Sequence, residues 1–222
     1  MFFDNNRRYN RKYSVLLDNR IRWLSYVDGY KRAGDLLIKK CQPVNKNILV
    51  YPICFMYRHY IEIQLKDIIK KYEEFIIGHV GCLDGIPKNR AHHKLDTLWD
   101  DCKELLDKSI VVYGCDYQCS GDTLKYSKKK LEQLKKKLGY NKSDLDFLED
   151  KIKQFSKIDK GSYSFRYPID KQGNLSLPSL DYINLKELSK EMSRVGHLLN
   201  SYSACIYGWL DEFKSMKEEI LN

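Results

Sequence analysis

Tyr57-Arg58-His59-Tyr60-Ile61-Glu62-Ile63-Gln64-Leu65-Lys66 lies within a longer segment, Ile48 to Ile77, that is apolar on nearly every side. A helix that is apolar all round is normally central and buried. The stretch therefore predicts a helical bundle built around one long helix. Arg58, Glu62 and Lys66 recur at i, i+4 and i+8 and stack on one face. His59 is about 100° round the helix from Arg58. Buried charge is costly unless it is paired or lines a wet site. This face is thus either a structural ion-pair ladder or the floor of a functional pocket, and the sequence leaves both open.

The flanks extend the helical reading. Leu16, Leu17, Ile21, Leu24, Val27, Leu37 and Ile38 predict a helix from about Val15 to Lys40. Cys41 to Asn47 is a connection, and Gly78 is expected to end the central helix. A loop to His93 follows. A helix then opens at His92-His93-Lys94-Leu95 and lasts to about Leu106, with 108–122 irregular. Two lysine-rich helices are expected over 122–139 and 142–158, the second capped by Ser143. Residues 162–170 alternate polar and aromatic, 171–174 turn, and Leu175-Ser176-Leu177 returns, which predicts a short β-hairpin over 161–178. A final amphipathic helix runs from about Asn184 to Ile220. Few breakers, 5 Pro and 12 Gly in 222 residues, fit this all-α, up-and-down helical bundle in one domain.

The net charge is +9, and Lys125 to Leu138 alone carries seven lysines against Glu132. Such a balance favours polyanionic partners, RNA or a nucleotide above all, although a lysine run is also a simple solvated face. The seven cysteines are scattered, which fits reduced thiols in a cytoplasm. No apolar leader opens the chain and no run long enough to span a bilayer is present, so no membrane partner is expected. Cys115-x-x-x-Cys119 lacks a second ligand pair at zinc spacing, so no metal is expected. There is no Gly-rich phosphate loop, no His-Glu-x-x-His and no Ser or Cys elbow, and no cofactor is implied.

Three polar islands remain in apolar surroundings: Arg58-His59-x-x-Glu62, His92-His93 and Phe165-Arg166-Tyr167-Pro168. His93 opens a helix, where outward N–H groups depress an imidazole pKa, or it is a plain surface histidine. Arg166 either stacks on its flanking rings or offers a forked cation to a phosphate.

The Arg58-His59-x-x-Glu62 run, the His93-x-Leu95-x-x-Leu98-Trp99 helix start and the late Phe165-Arg166-Tyr167-Pro168 element before a long last helix resemble bacterial proteins of the HEPN type. The resemblance implies an up-and-down helical bundle in which 108–160 is a helical insertion. It also implies an RNase, or a nucleotide-binding partner, of a toxin–antitoxin or phage-defence system, working as a homodimer or with a protein from the same operon. The chain departs from the HEPN RNase pattern, an Arg followed by four to six residues and a His on the late core helix. Arg194-Val195-Gly196-His197 is too closely spaced.

Two functional readings follow. In the first, a metal-independent endoribonuclease, His59 is the acid/base, Arg58 stabilises charge, Glu62 orients them and His93 is a second acid/base. Lys66, Arg166, Tyr167, Lys128 and Lys129 hold the substrate. In the second, the same pocket binds a nucleotide, RNA or a partner without turnover. The homodimer has its own warrant in the last helix, where Leu198, Leu199, Tyr202, Ile206, Tyr207, Trp209, Leu210 and Phe213 exceed one stripe.

Overall fold

The computed structural model describes residues 22–80, 92–114, 127–178 and 180–221. Among these, the regular structure is helical: α1 (Arg22–Lys40), α2 (Lys46–Val80), α3 (Leu95–Gly114), α4 (Lys128–Lys137), α5 (Lys142–Ile158) and α6 (Leu185–Leu221). The all-α expectation holds. No helix among the described residues is long and apolar enough to cross a membrane. The expected start of the first helix near Val15, the 81–91 part of the second connection, and 115–126 with Cys115, Cys119 and Lys125 lie outside the described residues.

α2 is the axis of the bundle and packs against α1, α3 and α6. Ile53, Tyr57, Ile61, Leu65, Ile68, Tyr72 and Phe75 are fully buried along it. Two glycines set how closely its neighbours approach. A Cβ at Gly34 of α1 would lie 2.8 Å from the Tyr57 ring, and one at Gly78 of α2 would lie 2.7 Å from the Phe213 ring of α6. Gly78 thus does not end the helix, which runs on to Val80; it makes room for α6 instead.

α3 also outruns its expected end at Leu106. Ser109, Ile110, Val111 and Val112 are buried, and that burial holds a β-branched run in helix against its weak propensity. Ser127 caps α4, accepting from Lys130 N–H, while Asn141 rather than Ser143 caps α5. The 108–160 region shares the main core through Leu131, Leu148, Ile152 and Phe155. Lys103–Glu149 at 2.8 Å ties α5 to α3, and Arg194–Asp144 at 3.0 Å ties it to α6.

One further expectation is corrected. The hairpin over 161–178 is not a pair of strands: one isolated bridge joins Ile169 and Leu175. The N–H groups of Arg166 and Tyr167 both donate to the Tyr163 carbonyl in a turn, and Pro168 has no N–H to offer. Cross-chain bonding is confined to Asp170 N–H with the Asn174 carbonyl and Ser176 N–H with the Pro168 carbonyl, too little for a ladder. On α6, part of the apolar excess is covered within the chain, Tyr202 by Tyr140 at 5.4 Å and Trp209 by Tyr113 at 4.5 Å between ring centroids, while Leu198 and Tyr207 are half-buried. Leu199, Ile206, Leu210 and Phe213 are buried as well.

A buried ion cluster beneath a half-exposed histidine, the candidate functional site

Arg58 has no exposed surface, and Glu62 is 2% exposed. The pairing expected from their i, i+4 spacing is present, Arg58 Nη1 donating to Glu62 Oε2 at 2.8 Å. Arg58 Nε lies 3.2 Å from both the carbonyl and Oδ2 of Asp159, the residue that ends α5. Nη2 donates to the backbone carbonyl of His93. Asp159 Oδ1 accepts the N–H groups of Tyr163 and Ser164 at 2.7 and 3.0 Å, an Asx-type turn that fixes the chain after α5. One guanidinium thus joins α2, the end of α5 and the segment before α3.

The other carboxylate oxygen faces outward. Glu62 Oε1 accepts from Lys66 Nζ at 2.9 Å and lies 2.7 Å from His93 Nδ1. Burial alone would raise the Glu62 carboxyl, but the hydrogen bonds from Lys66, His93 and Arg58 outweigh it and hold it down at about 2. An ionised carboxylate only accepts, so His93 Nδ1 carries the proton of that bond. The His93 side chain is 53% exposed, and its Nε2 is the remaining ring nitrogen. This is the arrangement of an oriented acid/base: a carboxylate fixes the tautomer and leaves the second nitrogen to work.

His59 lies beside the cluster on α2, about 100° round the helix from Arg58. Its ring meets Tyr30 edge-on at 4.4 Å and stacks on Phe55 at 5.5 Å. Burial lowers its imidazole, as do the nearby charges of Arg58, Lys66 and His93, against the opposing pull of Glu62. It is therefore neutral at pH 7 and is held by rings. Arg166 sits on the same Phe55 at 5.6 Å and does not reach Arg58. Its guanidinium also lies 5.7 Å from the centroids of Tyr163 and Tyr167, and its Nε donates to the Ser162 carbonyl.

The structure thus brings together Arg58, Glu62, Lys66 and His93, with His59, Arg166 and Tyr167 on an adjoining ledge. Arg58, expected to stabilise developing charge, is enclosed and engaged by protein oxygens. Lys128 and Lys129 are exposed on the first turn of α4, and α4 is tied to the far part of α3 by Lys135–Asp107 at 2.8 Å. Asp107 is about 18 Å along α3 from Leu95, at the helical rise per residue, so these two lysines stand apart from His93. Asp159 was not legible as a partner: a single acid after a helix has no pattern until the fold brings it to Arg58. Phe55 and Tyr30 carried no signal of their own in the sequence.

Two concavities, of about 410 and 550 Å³, open elsewhere. One lies between α5, α6 and residues 180–184, the other between the α1–α2 connection and the start of α6. No candidate residue lines either. Lys151, which lines the first, pairs with Glu191 at 3.1 Å. No group of three or more metal-ligating side chains occurs among the described residues. No family model, no curated protein and no solved structure matches the chain.

Proposed function

We propose that this protein cleaves RNA without a metal, with His93 as its acid/base. The observation that carries this is the 2.7 Å contact of His93 Nδ1 with a carboxylate held ionised by Arg58 and Lys66. His93 Nε2 takes the proton from a ribose 2′-OH, and the resulting oxyanion attacks the adjacent phosphorus. The bond to the 5′-oxygen breaks, leaving a 2′,3′-cyclic phosphate and a 5′-hydroxyl whose proton comes from solvent. Lys66, 21% exposed beside Glu62, and Arg166 supply positive charge near the phosphate. His93 takes the role first expected of His59, and Glu62 orients it. The likeness to HEPN proteins, a defence or toxin–antitoxin setting, a homodimer and a partner from the same operon belong to the same proposal and rest on the sequence resemblance.

A second reading, RNA or nucleotide binding without turnover, is favoured by one observation. Arg58, the cation expected to stabilise developing charge, is fully enclosed and gives nothing to a substrate. Incubation of the purified protein with total RNA in excess chelator separates the two. Cleavage that leaves cyclic phosphate ends, reduced in Glu62→Gln, supports the first reading. Intact RNA that nevertheless shifts in a gel supports the second.

A further inference from the structure

Rings and cations follow one another without interruption from α1 across α2 to the segment after α5. Tyr26 and Tyr30 lie 6.4 Å apart, Tyr30 meets His59, His59 stacks on Phe55, and Phe55 carries Arg166. Arg166 in turn lies over Tyr163 and Tyr167, and Lys171 lies 5.9 Å from the Tyr163 centroid. Phe55, His59, Glu62 and Lys66 recur at four-, three- and four-residue steps, so this ledge and the Glu62–His93 pair share one stripe of α2. Its outer rings are open: Tyr26 is 50%, Tyr163 48% and Tyr167 55% exposed.

Buried rings explain themselves by packing, but half-exposed tyrosines around a guanidinium leave aromatic faces and a cation in water. Arg166 and Lys171 have no carboxylate partner among the described residues, unlike Lys66, Lys103 or Lys151. Uncompensated cations call for phosphates, and exposed aromatic and guanidinium planes call for unstacked bases. A duplex hides its base faces and offers only its backbone.

We infer that the ledge Tyr26–Tyr30–His59–Phe55–Arg166–Tyr163/Tyr167 is a stacking track for single-stranded nucleic acid, running beside His93. The inference rests on the RNA-directed reading and names its substrate class. Bases lie on Tyr26, Tyr163 and Tyr167, and Arg166 and Lys171 meet the phosphates between them.

Binding is measured by fluorescence anisotropy in the full chain carrying His93→Ala, so that no cleavage intervenes. The probe is a labelled oligoadenylate of about 12 nucleotides, within the range one such surface covers, and its competitor is a duplex of equal length. The track predicts at least a tenfold preference for the single strand, with Tyr163→Ala/Tyr167→Ala weakening it about tenfold per lost stack. The corresponding Phe variants retain binding, and Arg166→Ala lowers the salt slope by about one. Equal affinity for duplex and single strand, or Ala variants that bind like their parent, overturns the track. The two proposals fail separately: a track that binds RNA which the wild type leaves intact refutes only cleavage. Wild-type cleavage unaffected by the tyrosine variants refutes only the track.

Discussion

His93 Nδ1 lies 2.7 Å from Oε1 of Glu62, and the other oxygen of that carboxylate is held at 2.8 Å by the enclosed Arg58. One acid therefore has two duties, neutralising a buried cation and orienting a half-exposed imidazole. Substitutions that separate those duties test the account.

Glu62→Ala strands Arg58 in the core and removes the anchor of Lys66. It destabilises the fold by about 3 kcal/mol, the scale of a broken buried pair, as chemical denaturation measures. An unchanged midpoint would refute the burial of the pair.

The same carboxylate makes stability depend on acid. Its pKa is about 2 in the fold and near 4.5 when unfolded, so its contribution is complete above about pH 4.5 and disappears as the pH falls toward 2. The linked loss is about 3 kcal/mol. Melting curves of Glu62→Gln against wild type between pH 6 and pH 2.5 should converge on the acid side, and a constant gap would contradict the linkage.

Asp67 behaves oppositely. It is 3% exposed, and burial raises its pKa despite Lys71, Lys70 and the hydroxyl of Tyr207 at 3.3 Å. A raised carboxyl favours the fold while protonated, and that contribution is lost as pH rises through its folded pKa. At pH 7 the buried anion is a burden. Asp67→Asn, which keeps an acceptor for Tyr207, raises the melting temperature at pH 7, and the gain shrinks toward pH 4. A melting temperature lowered at pH 7 would show that the carboxylate is stabilising.

Asp159→Ala removes both an Arg58 contact and the acceptor for Tyr163 and Ser164. A cost of about 3 kcal/mol follows from the unpaired charge and lost turn. Asp159→Asn keeps the acceptor oxygen and should recover part of it. Equal losses in the two variants would locate the whole effect in charge.

The sequence carried the long central helix because Ile48 to Ile77 has no polar side wide enough for solvent. It also carried the Arg58–Glu62–Lys66 ladder, since i, i+4 spacing makes contact local. What it could not carry was non-local. Asp159 reaches Arg58 across 101 positions, and His59, turned about 100° from Arg58, packs its ring on Tyr30 and Phe55 beside the cluster. The alternation at 162–170 imitated a strand, while the Asp159 cap drew the Tyr163 and Ser164 N–H groups into a turn. The apolar excess of α6 could not show that Tyr113 and Tyr140 cover its Trp209 and Tyr202.

The central claim is that His93 Nε2 moves a proton. The His93 carbonyl, not its ring, receives Arg58, so His93→Ala keeps that bond and the fold. The decisive measurement is the cleavage rate of a single-stranded RNA in chelator for wild type and His93→Ala, with and without added imidazole. The account predicts a loss of about 10²–10⁴-fold, typical of a deleted general acid/base, with partial restoration by imidazole and cyclic phosphate ends throughout. Cleavage by His93→Ala at the wild-type rate, or none by the wild type, would contradict it.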